Sequence, residues 1–327
     1  MKIESRLALC ILILLVSGPL RAQQAVFPEQ FTVAQDGSGN YKTIQEAINA
    51  VRDLSQVQVK IFIRKGVYHE KLVVPSWKTK ISLIGEDRQN TIISGQDYSG
   101  KNFPGTDWNG RDKFITFTSY TVLVVGNDFH AESLTIENTA GRVGQAVALH
   151  VEGDRCTFIN VSLLGNQDTL YTATDNSRQY YKDCLIEGTT DFIFGEATCV
   201  FENCVIRSKA SSYITAASTP AKKKYGYVFI NCKLTADSSV RVYLGRPWRP
   251  YAKTVFLNTE MGGHIVPEGW DNWKNPQNET TAFYAEYGSY GPGGNTGERV
   301  SWSHQLKKKQ VRQYSLKNIF ADWDVGQ

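Results

Sequence analysis

The sequence predicts an all-β chain, folded as a single-domain parallel β-helix, or solenoid, with a short N-terminal capping helix. Three observations lead there. A short phrase recurs at intervals in the twenties, each copy has strand character, and one stretch of helical spacing stands ahead of the series.

The phrase reads Phe158-Ile-Asn-Val161-Ser-Leu163, Tyr181-Lys-Asp-Cys184-Leu-Ile186 and Phe201-Glu-Asn-Cys204-Val-Ile206. It returns as Phe229-Ile-Asn-Cys232-Lys-Leu234 and Phe256-Leu-Asn-Thr259-Glu-Met261, with a weaker early copy at Ser133-Leu134-Thr135-Ile136. Counted from the residue after the Asn or its equivalent, the gaps are 27, 23, 20, 28 and 27 residues. Alternating apolar and polar positions rich in aromatic and β-branched residues mark a strand. Repeats of this length mark stacked coils. Uneven gaps, with no leucine-rich consensus, fit a β-helix, in which strands keep phase while loops vary.

Read as one strand per phrase, period-two alternation places Phe201, Asn203 and Val205 on one face and Cys204 and Ile206 on the other. Cys184, Cys204 and Cys232 share a phase and are expected to stack inward as small packing side chains. Vertical neighbours among them are close enough for one disulfide. Cys156 and Cys199 share another phase two coils apart and are expected not to pair.

A solenoid end exposes its core and needs a cover. Thr43-Ile-Gln-Glu46 is a capping-box pattern, and Ile44, Ala47, Ile48 and Val51 follow at helical spacing. The aromatic-rich C-terminal part is expected to wrap the solenoid. No linker divides the chain.

The front of the chain reads as an export signal over residues 1–22. Lys2 and Arg6 precede the apolar run Leu7 to Val16, and Leu20-Arg21-Ala22 ends in a small residue suited to cleavage. The run is too short to span a bilayer, and Cys10 within it is a passenger. Secretion to the periplasm or the medium is therefore expected, with residues 23–327 as the working domain and no stable membrane association. Without Lys2, Arg6 and Arg21 the chain keeps 33 basic residues, and without Glu4 it keeps 31 acidic ones, a net charge of +2. The basic runs Lys222 to Lys224 and Lys307 to Arg312 carry no aromatic interleaving, which speaks against nucleic acid as a partner. The cysteines and histidines lack metal-site spacing, so neither a metal nor any other cofactor is expected. A monomer is expected.

The repeat also aligns two carboxylates. Asp168 lies seven residues after Val161, and Asp191 lies seven after Cys184. The surrounding words agree: Gly165-Asn-Gln-Asp168-Thr-Leu-Tyr171 and Gly188-Thr-Thr-Asp191-Phe-Ile-Phe194. On coils that fold alike, the two acids stand about 4.8 Å apart along the stack. Two carboxylates that close resist joint ionisation, so one pKa is expected to rise while the other stays low. That combination supplies an acid beside a nucleophile or base. Spacing alone leaves two other readings open. Both acids also read as turn residues, and a retaining glycosidase also uses a close carboxylate pair.

At this point five segments, in order, resemble the signature segments of the pectin methylesterases: Gly66-Val-Tyr-His-Glu70, Gln145-Ala-Val-Ala-Leu149, Gln167-Asp-Thr-Leu170, Asp191-Phe-Ile-Phe-Gly195 and Leu244-Gly-Arg-Pro-Trp248. Ala34-Gln-Asp-Gly-Ser-Gly-Asn-Tyr41 is similar to that family's first strand and turn. The resemblance covers nearly all of the chain after the leader. The inhibitor-like pro-region of many plant members is absent, a simple architecture that resembles bacterial members.

The resemblance implies a right-handed β-helix and demethylation of methyl-esterified polygalacturonate through an aspartyl acyl-enzyme. It makes Asp191 the nucleophile and Asp168 the general acid, then base. Gln145 and Gln167 become amide donors to the oxyanion, and Arg246 holds Asp191 ionised. Arg246 and Trp248 also face the sugar, with Gln145. Thr116, before Phe117, matches a substrate-contacting Thr-Phe, although the loop before Gln145 is one residue short. Tyr171 and Phe194, each three residues after an Asp, are further candidates for the sugar cleft. Tyr68 and Glu70 read as structural. Asn278-Glu-Thr280 has the form of a glycosylation acceptor. Two competing classes remain. One is another β-helix pectin enzyme, a pectate lyase or glycosidase; a lyase would want a calcium-binding acidic cluster, and none is evident. The other is a non-catalytic carbohydrate-binding solenoid.

Overall fold

The computed structural model describes residues 27–325; the leader and its cleavage site at Ala22 lie outside them. Three sheets run along one axis, with eleven, eight and seven strands among the described residues. One coil visits each in turn. Cys156–Ile159 lies in the eleven-stranded sheet, Ser162–Leu164 in the eight-stranded and Leu170–Thr172 in the seven-stranded, before Arg178–Lys182 begins the next coil. Neighbouring coils pair in parallel. The fold is the right-handed parallel β-helix that the repeat and the resemblance predict.

The sequence gaps are the register of the coils. Thr157 pairs with His130, Phe158 with Tyr181, Tyr181 with Phe201, Phe201 with Phe229 and Phe229 with Phe256. Those aromatics form one interior column. Ring centroids are 4.8 Å apart from Phe158 to Tyr181 and again to Phe201, then 4.5 and 4.4 Å on to Phe229 and Phe256. Each such ring buries about 150–250 Å² of surface, so the column dominates the core energetically.

The phrase itself is not one strand. It is two strands meeting at a corner. Asn160, Asp183, Asn203, Asn231 and Asn258 all have φ between 50° and 56°. The left-handed region is costly for most residues but open to Asn and Asp. The corner resets the alternation, and the sequence reading of the faces is corrected accordingly. Phe201 points inward together with Cys204 and Ile206, all fully buried, while Val205 is exposed.

The cysteine reading fares differently. Cys184, Cys204 and Cys232 stack on successive coils and are buried. Each thiol lies near a main-chain carbonyl of the coil before, at 3.3–3.5 Å. All five cysteines among the described residues are free, so the one disulfide that the spacing allows is not formed. Cys156 and Cys199 stand two coils apart with Gln179 between them.

The front cap is the helix Ile44–Ala50. Thr43 accepts from the Glu46 amide, and the Glu46 side chain returns to the Thr43 amide. Ile44, Ala47 and Ile48 face the core. Glu70 accepts the amides of Ile44 and Gln45, satisfying donors that a helix start leaves free. Tyr68 is buried and donates to the Arg64 carbonyl. The C-terminal helices cover the outer face of the eleven-stranded sheet, where Ile319 and Phe320 pack with Tyr180, Val200, Val228 and Val255.

Candidate active site

The seven-stranded sheet presents its outer face to an open cleft of about 340 Å³. Asp168 and Asp191 each end a turn and enter a strand. Leu170 pairs with Ile193 and Tyr171 with Phe194, so the two acids, each two residues before its strand begins, occupy equivalent places on adjacent coils. Both take positive φ, 64° and 49°, which aspartate tolerates. Their amides are held by the next coil: Asp168 N–H donates to Thr190 and Asp191 N–H to Tyr213. Both side chains line the cleft, yet the residues are only 8% and 6% exposed.

Arg246 reaches Asp191 from two coils further on. Its Nε donates to Oδ1 at 3.0 Å and its Nη2 to Oδ2 at 2.7 Å, a bidentate charge-assisted pair. Two glycines let the coils around this pair stack closely. At Gly195, with φ 126°, a Cβ would lie 2.0 Å from the Thr172 carbonyl oxygen. At Gly245, beside Arg246, it would lie 2.0 Å from the Thr215 hydroxyl oxygen. The guanidinium carbon sits 3.9 Å from the Tyr213 ring centre and 3.7 Å from that of Trp273. This sandwich fixes the plane in which Arg246 meets the carboxylate.

The two acids differ in what opposes the effect of burial. Burial pushes Asp168 well above the usual carboxylate range; the charge of Asp191 adds to this, and Arg246 opposes it. Burial also raises Asp191, but the hydrogen bonds and charge of Arg246 hold that rise down. The expectation that one pKa stays low is therefore corrected. Both rise, because both are withdrawn from water, and Asp168 rises further because no cation grips it. Burial, more than mutual repulsion, is the first cause.

Gln145 and Gln167 pair as a parallel bridge on neighbouring coils at the edge of the same cleft. Thr116, Phe194 and Trp248 also line it. Tyr171 stands one coil before Phe194, rings stacked at 4.6 Å, and touches Phe117 at 5.2 Å. Trp248 meets Phe194 edge-on at 5.8 Å. Phe117, the second residue of the Thr-Phe pair, lines the cleft as well, whereas sequence reasoning missed Tyr213 and Trp273 as parts of this site. Asn278 is buried and donates to the Asn272 carbonyl, so the acceptor-like motif is turned inward.

A close acid pair, one member paired with a guanidinium and the other without a cation, can do nucleophilic and acid–base work in one place. Two primary amides beside it can donate to a developing oxyanion.

The family model described as Pectinesterase matches residues 30–322. Pectinesterase 31 of Arabidopsis thaliana is 40% identical over 296 residues, spanning 89% of this chain and 91% of that protein. The chain spans about half the length of relatives named pectinesterase/pectinesterase inhibitor, such as one of Brassica napus, of which it covers 51%. Among solved structures, the pectin methylesterase from carrot superposes with a TM-score of 0.81 at 34% identity, covering 91% of this chain and 94% of that one. A pectin methylesterase in complex with a hexasaccharide gives 0.78 at 32% identity, covering 93% and 100%.

Proposed function

The chain belongs to the pectinesterase family, and from that premise we propose that it hydrolyses the methyl esters of polygalacturonate through an aspartyl acyl-enzyme. It is a carboxylic ester hydrolase of the β-helix type, acting on pectin to give pectate and methanol. The observation that carries the mechanism is the asymmetry of the acid pair: Arg246 grips Asp191 and leaves Asp168 free of any such clamp.

In the proposed reaction an Asp191 oxygen attacks the ester carbonyl carbon. The carbonyl electron pair moves to oxygen, where the side-chain amides of Gln145 and Gln167 donate to it. Such preorganised donors matter most where charge develops in a water-poor site. As the intermediate collapses, the bond to methoxide breaks and Asp168 gives its proton, releasing methanol. The acyl group is then joined to Asp191 as an anhydride. Asp168, now a base, takes a proton from water, whose oxygen attacks the substrate carbonyl. Collapse frees Asp191, and the new galacturonic acid ionises to solvent. Asp168 ends protonated, as it began.

No step calls for a metal Lewis acid. Trp248 and Phe194, with Thr116 and Tyr171, are proposed to hold the sugar rings. De-esterified neighbours are proposed to be tolerated or favoured on one side of the reacting methylated residue. The working unit is proposed to be residues 23–327, exported and monomeric.

Purified chain acting on methylated pectin tests the reading. Methanol and acid should appear without shortening of the polymer. An unsaturated, ultraviolet-absorbing product would indicate a lyase, new reducing ends a glycosidase, and no product a binding solenoid.

A further inference from the structure

Lys71 lies outside the catalytic cleft and keeps 34% of its side-chain surface exposed, yet the ammonium at its tip is fully engaged. Its Nζ donates to the carbonyls of Thr118 at 2.7 Å and Tyr120 at 2.8 Å, and to Asp97 Oδ2 at 3.1 Å. A lysine ammonium has three protons, and these three contacts use them all. The same nitrogen lies 4.2 Å from the Tyr120 ring centre and 4.9 Å from that of Phe114. Lys101 pairs with the other oxygen of Asp97 at 2.9 Å, leaving that carboxylate shared by two cations.

These contacts grip residues 114–120 at both ends. The gripped segment contains the short turn Thr116–Thr118, whose Thr116 and Phe117 line the catalytic cleft. Phe117 is 42% exposed there, with its ring against Tyr171. A three-residue turn has little stability of its own. An ion pair this exposed adds little stability of its own. What an apolar residue cannot do is hold two carbonyls and a carboxylate in fixed directions.

We infer that Lys71 is a positioning residue for substrate. It fixes residues 114–120 so that Thr116 and Phe117 form one wall of the cleft. The inference rests on the reading of that cleft as the pectin site. It says that binding of the polymer, more than the chemical step, depends on a lysine two residues before Val73, on a coil that carries none of the proposed reacting groups.

The test makes Lys71→Met and Phe117→Ala singly and together in the full chain. Methanol release is followed against the concentration of methylated pectin, with thermal melting to establish that each variant is folded. Lys71→Met should raise KM about tenfold and change kcat by less than about twofold, the pattern of lost binding without lost chemistry. In the Phe117→Ala background the same change should raise KM by less than about twofold, because residues acting through one another are not additive. An unchanged KM, or an equal factor in both backgrounds, would overturn the inference. Should Lys71→Met fail to fold, Asp97→Asn, which keeps both lysines, carries the same comparison and the same two outcomes. No methanol from the unaltered chain would overturn the functional reading as well; a failure confined to the variants overturns only the positioning role.

Discussion

Asp168 and Asp191 occupy equivalent positions on adjacent coils, but Arg246 grips only Asp191, through Nε at 3.0 Å and Nη2 at 2.7 Å. The repeat makes the acids alike, and one guanidinium makes them different. Activity in the proposed mechanism requires Asp191 ionised and Asp168 protonated. The rate should therefore rise with pH as Asp191 loses its proton and fall as Asp168 does. Arg246→Met removes what opposes burial at Asp191. The acid limb of kcat against pH should move upward, and kcat at neutral pH should drop about a hundredfold or more. An unmoved acid limb would contradict the assigned role.

Stability should report the same asymmetry. Asp168 has a raised pKa in the fold. Between the ordinary carboxylate pKa and that raised value, the folded chain binds more protons than the unfolded chain, so stability falls as pH rises through the window. Asp168→Asn cannot ionise and escapes the loss. Urea unfolding should show the variant gaining on the parent as pH rises from about 3 toward neutrality, with little difference at the acid end. A gap that narrows with rising pH would mean that Asp168 is stabilised as the anion.

The corners invite a local test. Asn203 is exposed, with φ 55°. Asn203→Val places a β-branched side chain in the left-handed region and should cost about 1–2 kcal/mol in urea unfolding. Asn203→Gly should be much milder, since glycine enters that region freely. Equal losses in the two variants would show that the side chain, and not the backbone, holds the corner.

Metal removal should leave the chemistry intact, because every proposed step is carried by carboxylates and amides. Methanol release from methylated pectin should survive EDTA. Complete loss, restored by calcium, would move the weight toward a lyase-like site.

The sequence made the coil register legible because the phrase returns once per coil, whatever the loop length. Asp168 and Asp191 both lie seven residues after the fourth position of their phrase, Val161 and Cys184, so their stacking could be read directly. Tyr213 follows that rule with a difference. Ile193 pairs with Thr215, so Tyr213 matches Asp191, but the turn before it is two residues longer and seven residues after Cys204 falls on Ser211. Trp273 was hidden for another reason. It comes from a loop outside the repeat, where no period constrains position, and only the folded chain brings it to 3.7 Å from Arg246. The faces of Phe201 and Cys204 were misread because alternation presumes an unbroken strand. The left-handed corner at Asn203 leaves a sequence signal, the recurrent Asn or Asp before the Cys, that could have been taken as a turn.

Asp191→Ala tests the central claim most directly. The side chain faces the cleft and not the aromatic column, so the variant should melt as a folded β-helix. Methanol release from methylated pectin should be abolished, because neither Asp168 nor water can take the nucleophile's place beside Arg246. Methanol release at the parent rate from folded Asp191→Ala would contradict the acyl-enzyme account.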